Sequence, residues 1–153
     1  MGILINAFDL HFQRFLRDGK VAIPAGIRSA GIIRPTATEA YYGGYSLALL
    51  KEALINYQNI FSGSGLDGQK FNSFYFYLTA LNREDLVTIL ENEFNLALAQ
   101  VDALSDPLSD QIMTDVEPVT TLFILLQDIV TTIKADMISA MGITLTNQDN
   151  DGD

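Results

Sequence analysis

The chain contains no cysteine, one histidine, and 9 basic residues against 19 acidic ones. Each shortage removes a class of chemistry. Without cysteine there is no disulfide, no thiolate nucleophile and no Cys-based zinc site. A hydrolytic zinc centre usually takes three protein ligands, which His11 alone does not approach. Neither His-x-x-Glu nor His-Glu-x-x-His occurs, and the residue three beyond His11 is Arg14. The net charge of −10 repels phosphate backbones, so nucleic acid is not an expected partner, whereas a cationic ligand or a metal is easier to accept.

Long hydrophobic runs are also missing. The longest apolar stretch of the C-terminal half, Leu122-Phe-Ile-Leu-Leu126, falls far short of the roughly twenty residues of a membrane span, so no transmembrane segment is expected. Met1-Gly2-Ile-Leu-Ile5 is too short for a signal-peptide core and lacks a basic leader. It leads directly into helical pattern, as if an upstream part had been cut away. There is no Gly-x-Ser-x-Gly elbow and no phosphate-cradling glycine motif. Strand signals are weak: Val21 to Ile23 has extended character but no evident partner.

What is present is helix. With 153 residues, 48 % apolar and 18 % charged, the chain has the makings of one globular domain over 1–153. A first helix is expected from Ile3 to Arg17, with Leu4, Phe8, Phe12, Phe15 and Leu16 on one face, ended by a left-handed cap at Asp18-Gly19. A second, capped by Ser46, runs to Phe61 with the stripe Leu50, Leu54, Tyr57 and Phe61, and Ser62-Gly-Ser-Gly65 reads as a flexible turn that stops it. An aromatic helix over Phe71–Leu81 follows, its rings explained by core packing. The fourth helix carries Leu86, Leu90, Phe94, Ala97, Val101 and Leu104. The last repeats Ile112, Val116, Val119, Phe123, Leu126, Val130, Ile133 and Met137 in 4-3 steps, and Pro118 predicts a kink or restart near Glu117. The fold class is all-α: an antiparallel up-and-down bundle of about four to five helices, with a long irregular segment after the first.

Three candidate motifs read as structural. Asn147-x-Asp149-x-Asp151-Gly152 opens like a calcium loop but stops at Asp153, so a solvated acidic tail is expected. His11, beside Phe8 and Phe12, is expected at the core boundary. Glu91 and Glu93, two apart on a helix, do not face each other. The chemistry-bearing residues gather instead in the Gly- and Pro-rich stretch from Lys20 to Tyr45: Arg28, Ser29, Arg34, Glu39, Tyr41 and Tyr42. Either Arg28 and Glu39 form an ion pair that pins the loop, with the tyrosines filling its underside, or the six line a cleft in which Arg holds an anion and Glu a cation.

Several spaced segments carry a family resemblance. Ala7-Phe-Asp-Leu-His-Phe-Gln-Arg14, Gly19-Lys-Val-Ala-Ile-Pro-Ala-Gly26, Glu39-Ala-Tyr-Tyr42 with Ser46-Leu-Ala-Leu-Leu50, Lys134-Ala-Asp-Met137 and Asp149-Asn-Asp-Gly-Asp153 together resemble the C-terminal half of imelysin-like proteins, over essentially the whole chain. The resemblance implies an all-helical bacterial cell-envelope protein of two bundle halves, periplasmic or lipid-anchored at the outer membrane, and tied to iron uptake. The family is catalogued with peptidases. Its Gly-x-His-x-x-Glu motif belongs to the upstream half and is absent here. The resemblance therefore implies a non-catalytic half whose partner is the N-terminal half of the same protein. Gly26 to Ser29 and Glu39 would face the interface between halves, where iron, another divalent metal or haem is handled. A metallopeptidase completed by the upstream motif and a purely structural bundle are the other expectations.

Overall fold

The computed structural model describes residues 2–65 and 67–146. Helix α1, Gly2–His11, runs without a break into a π-helical stretch, Phe12–Ala22. An irregular segment with two short 3-10 turns, Pro35–Ala37 and Tyr41–Gly43, leads to α2, Ser46–Ser62. Then come α3, Phe74–Ala80, α4, Glu84–Ala103, and α5, Leu108–Thr114. The last helix, α6, Glu117–Thr131, continues through a second π-helical stretch, Thr132–Met137, and a final turn, Ile138–Ala140. The chain is an all-α bundle, with no strand among the described residues and one isolated bridge, Ser64 to Lys70.

Four long helices form a ring: the π-helical continuation of α1, Phe12–Ala22, packs on α2 and α6, and α4 packs on α2 and α6. The expected stripes make its core. Leu50, Leu54, Tyr57 and Phe61 of α2 are buried, as are Leu86, Leu90, Phe94, Ala97 and Val101 of α4. From the last third, Ile112, Val119, Leu126, Val130, Ile133 and Met137 are buried, whereas Val116 and Phe123, expected in the same seam, are only half-buried against the core. Pro118 sits at the start of α6, where its missing N–H costs nothing. The chain restarts there, and α5 and the last helix meet at 114°. No single helix among the described residues is long and apolar enough to cross a membrane.

Four expectations are corrected. First, α1 does not end at Asp18-Gly19. Ile23 donates to Asp18 O at 2.9 Å, and Ile27 to Ala22 O at 2.9 Å, the five-residue step of a π-helix. The buried residues of this stretch come in pairs, Phe12 and Gln13, Leu16 and Arg17, Val21 and Ala22, a spacing of four then five that a 3.6 period does not produce. Leu4 and Phe15 are therefore exposed, and Ile5 takes the inner position. Second, Ser46 does not cap α2; Tyr45 holds the cap position and makes no side-chain cap bond. Third, the aromatic helix is shorter than expected and is capped by Ser73, which accepts from Phe76 N. Fourth, only Phe74 of its ring-bearing residues is buried, while Phe71, Phe76 and Tyr77 are exposed. The acidic stretch from Asn147 to Asp153 lies outside the described residues.

Candidate functional site

The irregular segment, 23–45, is built on a buried charge. Arg17, on the π-helical stretch, faces inward and is 1 % exposed. Its Nε donates to Asp18 Oδ1 at 2.9 Å, its Nη1 donates to Gln127 Oε1 on α6, and its guanidinium carbon stands 5.8 Å from the Phe123 ring centroid. Arg28, from the segment, reaches the same two groups. Its Nη2 donates to Asp18 Oδ1 at 3.2 Å, and its guanidinium also lies 5.8 Å from the Phe123 ring. One carboxylate and one aromatic face thus hold two arginines.

The rest of the segment is wound tightly. Arg34 N donates to Pro24 O at 2.8 Å and Gly31 N to Gly26 O at 3.0 Å. Gly26 has φ +81, and a Cβ there would stand 2.7 Å from the Ile32 carbonyl carbon, so the turn admits no side chain at that position. Ala30 and Ala40 adopt left-handed φ of 52° and 50°, a conformation costing an L-residue about 1–2 kcal/mol. The Pro35–Ala37 turn seats the segment on α5.

The six sequence-derived residues do not converge on one cleft. Arg28 and Glu39 are not paired with each other: Arg28 is taken by Asp18, and Glu39 accepts from Lys20. Ser29 Oγ donates to Ile32 O at 2.8 Å and serves the turn. Tyr41 and Tyr42 meet edge to face, with centroids 5.1 Å apart, but Tyr42 is 100 % exposed and fills no underside. Arg34 is exposed, and its guanidinium has no partner among the described residues. The sequence reading missed Arg17, Asp18, Lys20, Phe123 and Gln127. Apolar periodicity carries no signal for them, because the inner positions Gln13 and Arg17 are polar.

Two further polar placements matter. His11 is exposed, with its Nδ1 hydrogen-bonded to the Tyr57 hydroxyl. Both residues line an apolar groove of about 460 Å³ between α1 and α2, with Leu4, Ala7 and Ile60. Burial pushes the Tyr57 phenol up from 10.0 to about 12. Glu93, half-buried on α4, accepts from Thr132 Oγ1 at 2.8 Å in the second π-helical stretch. Burial raises its carboxyl above the usual range; the Thr132 bond opposes that, while the charges of Asp128 and Asp136 add to it. Among the described residues, no three His, Asp or Glu side chains are grouped to hold a metal ion.

Comparisons with protein families, with curated proteins and with solved structures found no match.

The geometry separates the two arginines energetically. Arg17→Gln removes a buried charge from its partners and should lower unfolding free energy by about 3–5 kcal/mol. Arg28→Ala removes a half-exposed pair and should cost about 0–1 kcal/mol. Equilibrium urea unfolding distinguishes the two; equal losses would contradict the assignment. Tyr57 adds a pH signature. Its folded pKa lies above its unfolded one, so its contribution is complete below pH 10 and is lost as pH rises towards about 12. Thermal melts of the wild type should fall more steeply across that window than those of Tyr57→Phe.

Proposed function

We propose that this chain is the non-catalytic helical half of an imelysin-like cell-envelope protein, and that its 23–45 segment docks against the N-terminal half. There it completes one wall of a site that handles iron or haem. The reading rests on the family resemblance along the chain and on one structural observation: the side chains in and around the segment fall into two sets. Arg28, Ser29, Lys20 and Glu39 are consumed in holding its shape. Arg34, Tyr42, Tyr45, Ile32 and Ile33 are left facing outward.

Arginine, tyrosine and aliphatic side chains on a braced backbone are the composition of an interface centre. Tyrosine adds large contact area with little rotamer entropy to lose. The left-handed Ala30 and Ala40 fit the same reading, because strained backbone collects where a surface must be held ready. The acidic balance of the chain favours a cationic cargo over an anionic one.

The test is association of this chain with a separately produced N-terminal half bearing the Gly-x-His-x-x-Glu motif. Arg34→Ala and Tyr42→Ala should each weaken binding by about tenfold or more, which is the scale of an interface hot spot. Their effect on the melting of the isolated chain should stay within about 0.5 kcal/mol. Unchanged affinity in both variants would remove the segment from the interface.

A further inference from the structure

The Ser62-Gly-Ser-Gly65 turn does more than stop a helix. Gly63 takes φ +73, and a Cβ there would stand 2.3 Å from Phe71 O, so only glycine allows the chain to fold back at this point. The returning chain is tied by Phe71 N to Gly63 O at 2.8 Å, by Gly65 N to Gln69 O at 2.8 Å, and by the bridge between Ser64 and Lys70. The turn therefore has a defined shape, and it is not the flexible stop that its composition suggests.

Between this turn, α2 and α4 opens a recess of about 370 Å³ whose lining residues are all polar. Internal bonds hold its walls. Gln58 Nε2 donates to Asn95 Oδ1 at 3.0 Å, joining α2 to α4. Lys70 Nζ donates to Ser64 Oγ, which shares a hydrogen bond of 2.8 Å with Ser62 Oγ. Much hydrogen-bonding capacity remains. Among the described residues, no hydrogen bond reaches the Asn59 side-chain amide, the Glu91 carboxylate, Gln58 Oε1 or Asn95 Nδ2. Lys70 keeps two further ammonium protons.

The chemistry of this array selects a ligand class. Lys70 and Glu91 cancel in charge, so neither an anion nor a cation is favoured outright. Donors and acceptors alternate on three different elements. A sugar hydroxyl donates and accepts at once, and neighbouring hydroxyls span the two ends of a carboxamide or carboxylate. The volume lies near the lower end of ligand sites, about 300–1,000 Å³, as a compact ligand requires. We propose that this recess binds a single saccharide unit, with Asn59, Glu91, Asn95 and Lys70 as its hydrogen-bonding partners. The site is separate from the 23–45 segment and does not depend on the function proposed for it.

The test is an amide NMR titration of this chain with D-glucose, D-galactose, D-mannose and N-acetyl-D-glucosamine in turn, with glycine as a zwitterionic control. At least one sugar should give saturable shifts confined to Asn59, Ser64, Lys70, Glu91 and Asn95. Asn59→Ala and Glu91→Gln, which break no internal bond, should each weaken that sugar by about tenfold, the scale of one hydrogen bond to a charged or buried partner. Their spectra should otherwise match the wild type, which separates lost binding from lost fold. The proposal is overturned if none of the four sugars shifts these signals, if the shifts survive both substitutions, or if glycine alone produces them.

Discussion

A guanidinium removed from water must have its charge and its donors answered inside the protein, and at Arg17 this requirement organises the N-terminal third of the bundle. The answer comes from three directions: Asp18 beside it in the chain, and Gln127 and Phe123 across the interface on α6. Arg17 stands four residues after the buried Gln13 and five before the buried Ala22, on the inner face of the helix. The π-helical register carries the helix three residues past the glycine at which the sequence suggests it should stop. The widened turns and the buried charge lie on the same stretch of helix. π-helical turns are rare and gather at functional sites, where an inserted residue re-aims a side chain.

Through Asp18 the same feature governs the 23–45 segment. Asp18 holds Arg28 on its other side, so the loop is tied to the bundle at the point where the bundle's own charge is neutralised. Lys20, on the same π-helical stretch, holds Glu39 at the segment's far end. Two ion pairs, Gly26 and the seat on α5 leave the loop little freedom, although it has almost no regular structure. Its outward side chains are therefore presented on a rigid support, which lowers the entropy lost on binding.

The division between legible and hidden parts of the sequence follows from what periodicity records. The stripes of α2 and α4 and the seam of α6 were readable because one apolar face repeats at a constant step, and Pro118 marked the restart correctly. Periodicity fails where the step changes. Phe12 to Ala22 mixes apolar and polar inner positions, with Gln13 and Arg17 facing in, so the 3.6 template assigned Phe15 to the core and ended the helix at Gly19. The aromatic run of α3 failed for another reason: a seven-residue helix offers its neighbours one face, and most of its rings have nowhere to go but outward. At the candidate site the residue types were legible and their partners were not. Arg28 and Glu39 carry opposite charge within one loop, but Asp18 and Lys20 stand closer once the helix runs on past Gly19.

Native-state amide hydrogen exchange tests the anchoring of the segment most directly. The amides of Gly31, Ile32 and Arg34, all hydrogen-bonded within the segment, should exchange slowly in the wild type. In Arg28→Ala they should exchange about two- to fivefold faster, matching a loss of up to about 1 kcal/mol, while Leu90 and Phe94 in α4 keep their wild-type rates. Segment amides that are unprotected in the wild type, or that respond to Arg28→Ala no more than those of α4, would contradict the account.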